Sequence, residues 1–252
     1  MIAVERLTLS LGNRTVVHDL SFVLERGRVT AILGPNGAGK TSLIRAMAGL
    51  IPARSGRIFI NDQPLNEIPQ IDLARRIGYL PQDGEPAWNL SAFELAALGR
   101  LPHRSRFSAP SEKDDDAVFA ALAATDTSRF AARPIGSLSG GERARVKMAR
   151  VLAGDPHWIL ADEPLANLDP PHQRDMLGLL RSAAKRGKGA IAVLHQLEAA
   201  TQADDVLILK EGSLIAFGPT RDVLTPNHLE SAFGMPFEII EKAGRIVILP
   251  GA

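Results

Sequence analysis

The run Gly34-Pro35-Asn36-Gly37-Ala38-Gly39-Lys40-Thr41 fits G-x-x-x-x-G-K-[ST], and it lies between a β-branched run, Val29 to Leu33, and a helical stretch, Ser42 to Ala48. A strand that turns through glycines into a helix N-terminus constrains both fold and ligand. The glycines let backbone N–H groups face phosphate oxygens, Lys40 brings a point charge to the β- and γ-phosphates, and the Thr41 hydroxyl is a ligand for Mg²⁺. A glycine-rich turn before a helix would explain the glycines alone. With Gly at about 7% of residues, however, a chance match is on the order of one chain in a hundred, and the flanking strand and helix lower that further. The segment from Gly34 through Ser42 is read as a site for a nucleoside triphosphate.

With 252 residues, 45% of them hydrophobic, the chain is long enough to bury one α/β core or a core with a subdomain. Its formal net charge of +1 gives no electrostatic case for a nucleic-acid partner. No cysteine occurs, which excludes disulfides and thiolate metal sites, and the six histidines show no ligand spacing. Met1 to Arg6 lead straight into an alternating strand pattern, so no secretory signal is expected. The longest apolar runs, such as Val206-Leu207-Ile208-Leu209, are strand-sized and well short of the ~18 residues of a membrane span. Any membrane role is therefore expected through a partner.

Ile2 to Leu24 reads as strands with turns at Gly12-Asn13 and Arg26-Gly27. Arg57 to Ile60, ending at Asn61-Asp62, and Ile77 to Leu80, ending at Pro81-Gln82, read as two more strands. From Ser91 to Ala153 the pattern is mostly helical: helices are expected over Phe93–Leu98 and Ala117–Ala124, separated by a polar segment from His103 to Asp116. This predicts an inserted helical subdomain over about 88–153. Strand Trp158–Ala161, helix Pro171–Ala184 and strand Ala190–Leu194 then alternate, as a parallel sheet requires. A hairpin over about 233–250, turning between Lys242 and Arg245, is expected at the end.

Asp162 and Glu163 close the apolar strand Trp158–Ala161, and neighbouring strand residues point to opposite faces, so the pair is expected to divide its work. Asp162 suits the Mg²⁺ shell; Glu163 suits orienting or deprotonating a water for attack on the γ-phosphate. Ser139 and Glu142 of Leu138-Ser139-Gly140-Gly141-Glu142 form a capping box before a helical run. The box leaves Gly140 and Gly141 unexplained, since each costs ~1 kcal/mol relative to Ala within a helix. A hydroxyl and glycines at a bare helix N-terminus make a second phosphate-facing element the better reading.

In order and spacing, GPNGAGKT, YLPQD, LSGGE, WILADEP, LANLD and AVLH resemble the nucleotide-binding subunit of an ATP-binding cassette transporter over essentially the whole chain. Within that family, ALGRLPH, LSGGERARVKMARVLA, HQLEAATQADDVLILKEG and FGPTRDVLTPNHLESAFG resemble importers of iron–siderophore, haem and cobalamin. The resemblance implies an α/β phosphate-loop NTPase core with a mixed sheet, an N-terminal antiparallel β subdomain and an inserted helical subdomain. It implies ATP and Mg²⁺ as ligands, with Gln82 sensing Mg²⁺ or the attacking water and His195 contacting the γ-phosphate. It further implies that Ser139, Gly140 and Gly141 complete the ATP site of a second copy in a head-to-tail dimer, and that Asp169 sits at the subunit contact. Two permease subunits and, indirectly, a periplasmic or surface substrate-binding protein are the implied partners, placing the chain peripherally at the cytoplasmic face of the cell (inner) membrane. A soluble cassette ATPase acting in assembly or as a clamp is the alternative; the lack of heptads, of a second cassette and of net basic charge stands against it.

Several positions depart from the family pattern. Leu11 stands where an aromatic usually stacks on adenine, Ala144 where Gln is common, Ala166-Asn167 where Ser-Ala is common, and Gln196 where Asp is frequent. Trp88 and Phe93 fit either a groove for a helix of the membrane partner or core packing, and His103 reads as a solvated loop residue.

Overall fold

The computed structural model describes residues 1–82, 90–105, 109–242 and 245–251. Trp88 lies outside them. β1 (Ile2–Leu11) and β2 (Arg14–Leu24) pair antiparallel, and β1 also pairs with β4 (Ser55–Ile60), which carries the short β5 (Gln63–Pro64). The four make one sheet in the order β2-β1-β4-β5. Asn61 and Asp62 both take positive φ, 47° and 65°, which is how two residues reverse the chain between β4 and β5.

The second sheet is formed by β3 (Val29–Leu33), β6 (Ile77–Leu80), β7 (Trp158–Ala161), β8 (Gly189–Val193), β9 (Asp205–Lys210) and β10 (Ser213–Pro219). Its order is β10-β9-β3-β8-β7-β6, parallel throughout except at β10, which returns antiparallel to β9. The mixed sheet follows from connection length: the parallel strands are joined by long crossovers, whereas Glu211 and Gly212 alone turn β9 into β10.

Both faces of this sheet are covered, which is why its strands read as continuous apolar runs rather than alternating ones. One face, including Ala31, Ile159, Ala192 and Ile208, packs against α5 (Gly140–Ala153), α6 (Pro170–Lys185) and α9 (Pro226–Phe233). The other, including Ile32, Leu160, Val193 and Leu207, shares a core with α1 (Lys40–Met47) and the antiparallel sheet. Trp158 lies 1% exposed in that core. A Cβ on Gly189, its neighbour on β8, would sit 2.2 Å from the indole, so the ring uses the space that glycine leaves.

Between β4 and β7, α2 (Gln70–Arg76) precedes β6, and α3 (Ala92–Ala97) and α4 (Glu112–Ala124) pack on α5 through Ala96, Val118, Leu122 and Ala149. Phe93 meets Phe119 at 5.1 Å between ring centroids, the packing reading of that residue. The helix expected from Ala117 starts five residues earlier, at Glu112, because Ser111 and Asp114 cap it reciprocally. His103 is not solvated as expected: its Nε2 lies 2.8 Å from the Gly154 carbonyl in a partly buried contact that ties the loop to the end of α5. After β8 come α7 (Leu197–Ala200), α8 (Thr220–Val223) and a closing hairpin of β11 (Phe237–Lys242) and β12 (Arg245–Pro250). Phe233 ends α9 rather than opening the hairpin.

Candidate functional site

β3, β8, β7 and β6 are consecutive in the parallel sheet, and each delivers one motif from its carboxyl end. The phosphate loop follows β3, His195 follows β8, Asp162 and Glu163 follow β7, and Gln82 follows β6. Parallel strands that share an orientation bring such loops to one edge, where α/β folds place their ligands.

The loop from Gly34 to Gly39 is pinned at both ends where a side chain would not fit. Gly34 has φ 145° and a Cβ there would lie 2.1 Å from the Leu209 carbonyl oxygen; Gly39 has φ 94° and its Cβ would lie 2.5 Å from the Val16 carbonyl oxygen. Gly39 provides no side-chain cap to α1, so the first turn, Lys40 to Ser42, presents backbone donors at a helix N-terminus. Lys40 is 5% exposed, and its Nζ donates to the carbonyls of Gly34 (2.8 Å) and Pro35 (3.0 Å). Burial holds this ammonium below the usual lysine range, with the carboxylates of Glu163 and Asp162 opposing the shift.

Asp162 is fully buried. The Thr41 hydroxyl donates to its Oδ1 at 3.0 Å and the Tyr79 hydroxyl to its Oδ2 at 3.1 Å. Burial raises the Asp162 carboxyl above the ordinary carboxylate range, and the two hydroxyl donors and Arg45 pull it back. Tyr79 is a residue that sequence reasoning did not single out. It stood at the head of YLPQD, three residues before Gln82, with no role of its own assigned.

Glu163 faces a different way, although not by strand alternation as expected: β7 ends at Ala161, and Glu163 adopts φ 50° in the turn that follows. Its Oε1 lies 2.7 Å from His195 Nε2, and its Oε2 accepts from Gln82 Nε2 at 2.6 Å. Both carboxylate oxygens are thus held, one by each neighbouring strand end. A cavity of about 800 Å³ opens between the phosphate loop, Glu163 and His195, with Leu11 and Arg14 at its rim. Leu11 is 52% exposed.

The donors beside the phosphate loop suit Mg²⁺. Among the described residues no three His, Cys, Asp or Glu side chains cluster to hold a metal. Thr41 and Asp162 form a hydroxyl–carboxylate pair, which suits an ion that takes one or two protein ligands and completes its octahedron with water and phosphate oxygens.

Ser139, Gly140 and Gly141 are elsewhere. Ser139 caps α5: its hydroxyl accepts from the Glu142 N–H at 3.3 Å, and the Glu142 carboxylate accepts from the Ser139 N–H at 2.9 Å. None of the three is among the residues lining the phosphate-loop cavity. Gly140 lines a separate cavity of about 190 Å³ with Gln82, Glu163, Ala144, Ala166 and Asn167, so three of the positions that depart from the family pattern share one space beside Glu163. Asp169 caps α6, its carboxylate accepting from the His172 N–H, and is itself exposed. Gln196 stands at the N-cap of α7 without a side-chain cap, and nothing in the structure explains its presence there.

Residues 17–166, more than half of the chain, match the family model described as ABC transporter. The hemin import ATP-binding protein HmuV of Rhodococcus jostii is 39% identical over 97% of this chain and 84% of its own length. The iron(3+)-hydroxamate import ATP-binding protein FhuC of Bacillus subtilis is 34% identical over 95% of this chain and 90% of its own. A solved inward-facing transporter of metal-chelate type superposes with a TM-score of 0.87 at 27% identity, covering 100% of this chain and 97% of that one. The chain belongs to the ABC transporter family as one of its ATPase subunits.

Proposed function

We propose that this chain powers the import of a metal chelate, a ferric siderophore or haem, through a separate membrane permease, hydrolysing ATP with Glu163 as the base. The observation that carries the reading is the Glu163 carboxylate, fixed by His195 and Gln82 beside the phosphate loop. A base must lie within hydrogen-bond reach of the water it activates and be held there, and two short contacts do the holding. The import of iron complexes is supported by the likeness to relatives named for hemin and iron(3+)-hydroxamate import.

Backbone N–H groups of Pro35–Ser42, proline excepted, cradle the phosphates, and Lys40 turns its ammonium from the Gly34 and Pro35 carbonyls toward them. Thr41, Asp162 and Gln82 would hold Mg²⁺, which supplies positive charge to the phosphate oxygens as negative charge develops. Glu163 takes the proton of the attacking water as its oxygen bonds to the γ-phosphorus; the bond to the bridging oxygen breaks and ADP carries the electron pair away. His195 keeps Glu163 in place and contacts the γ-phosphate. Ser139, Gly140 and Gly141 complete the site of a second copy in a head-to-tail dimer, with Asp169 at the contact; that none of the three lines its own chain's cavity supports this reading. Among the described residues no helix is long and apolar enough to cross a membrane. A separate permease supplies the passage and this chain docks at its cytoplasmic face, a reading supported by the likeness to import ATP-binding proteins.

Affinity purification of Glu163→Gln from detergent-solubilised membranes, with ATP and Mg²⁺, tests the transporter reading. It should bring down a polytopic membrane protein in stoichiometric amount. Reproducible recovery of soluble partners alone would overturn that reading in favour of an assembly or clamp complex.

A further inference from the structure

We infer that His172 is a positioning residue: its imidazole holds the Ser139–Gly141 turn at a set distance from Asp169, and so sets how two copies of this chain close on nucleotide. The inference rests on the head-to-tail reading above. Its first observation is steric. Gly141 is buried in the first turn of α5, and a Cβ there would lie 1.8 Å from Cδ2, 2.3 Å from Nε2 and 2.4 Å from Cγ of His172. The ring occupies the volume that any other residue at 141 would claim, so glycine and imidazole are complementary shapes. A Cβ on Gly140 would lie 4.0 Å from the Asn167 carbonyl oxygen, which places the same turn of α5 against the segment that leads into Asp169.

The second observation concerns what the ring does not do. His172 stands in the first turn of α6, where its backbone N–H donates to Asp169 Oδ1 at 3.2 Å. Its Nε2 is 4.0 Å from Asp169 Oδ1 and its Nδ1 is 4.0 Å from Asp175 Oδ2, both beyond hydrogen-bond length. Nδ1 is buried with no hydrogen-bond partner among the described residues. An unpaired buried nitrogen is a cost to folding, so the ring is poorly explained as a source of stability through polar contacts. It is well explained as a spacer. One rigid, flat side chain bears on the α5 turn and, through its own backbone and ring, on Asp169. Without it the turn loses the surface against which Gly141 is seated, and two segments proposed to meet the second copy lose their common reference.

The test compares His172→Ala and His172→Phe, each in the Glu163→Gln chain, for ATP-driven dimerisation and for ATP affinity of the monomer at low protein concentration. His172→Ala should weaken the dimer by about tenfold or more, about 1.4 kcal/mol, while monomer ATP affinity stays within about twofold. His172→Phe, which restores a flat ring without the nitrogens, should recover most of the loss. In the Glu163-containing chain, His172→Ala should lower kcat at saturating ATP and leave monomer affinity unmoved. A dimer as tight as the parent's in His172→Ala, equal loss in Ala and Phe, or a parallel loss of monomer ATP affinity would each overturn the spacer role. If the Glu163→Gln parent itself stays monomeric with ATP, the head-to-tail reading fails and takes this inference with it.

Discussion

Asp162 and Glu163 are neighbours in sequence and separate in chemistry because the chain turns between them. Strand alternation foretold that they would part, yet the strand ends before either residue, and it is the left-handed backbone at Glu163, φ 50°, that swings its carboxylate to His195 and Gln82. Asp162 stays behind, buried under the hydroxyls of Thr41 and Tyr79. The identity of the acids was legible because two carboxylates after an apolar strand are conspicuous beside a phosphate loop. The role of Tyr79 was not, although it heads YLPQD, because an aromatic on a short strand reads as core and its hydroxyl contact with Asp162 spans 83 residues. At the same scale, Leu11 offers the rim of the nucleotide cavity a branched aliphatic side chain that is half exposed. Leu11→Tyr is expected to tighten ATP binding by up to about tenfold, since an added aromatic pair contributes about 0.5–1.5 kcal/mol. Equilibrium titration with a fluorescent ATP analogue checks this, and an affinity unchanged or weakened would show that the base does not lie on residue 11.

Elements were read best where apolar runs end at turn residues. β3, β6 and β7 sit where Val29–Leu33, Ile77–Leu80 and Trp158–Ala161 placed them. α4 was read late because its first turn, Glu112 to Asp116, is entirely charged and shows no apolar periodicity. The missed signal was Ser111 followed three residues later by Asp114, a capping box with the shorter acid. That box has a pH consequence. The Ser111 N–H, the Ser111 hydroxyl and Arg100 Nε at 2.9 Å hold the Asp114 carboxyl down to about 2, below its unfolded value near 3.9. A depressed carboxylate stabilises the folded state above the unfolded pKa, and the contribution fades as pH falls from about 4 toward 2. Asp114→Asn should therefore lower the denaturation midpoint at pH 7 and narrow the gap to wild type as pH approaches 3. A gap that stays constant from pH 7 to pH 3 would contradict the assignment.

For the whole molecule, strand and helix alternation announced an α/β fold, but no local signal writes the order β10-β9-β3-β8-β7-β6. Parallel neighbours are chosen by crossovers and by helix packing on two faces, which are properties of the assembled chain. That order matters to chemistry, because it sets the phosphate loop, His195, the paired acids and Gln82 side by side at one sheet edge, from segments up to 161 residues apart counting Gly34 to His195. The measurement that tests this convergence most directly is steady-state ATP turnover of Glu163→Gln beside its equilibrium ATP affinity. Loss of a positioned general base lowers turnover by about 10²–10⁴-fold, whereas nucleotide binding, which rests on the phosphate loop, is expected to stay within about threefold of wild type. Turnover at the wild-type rate would show that Glu163 is not the base.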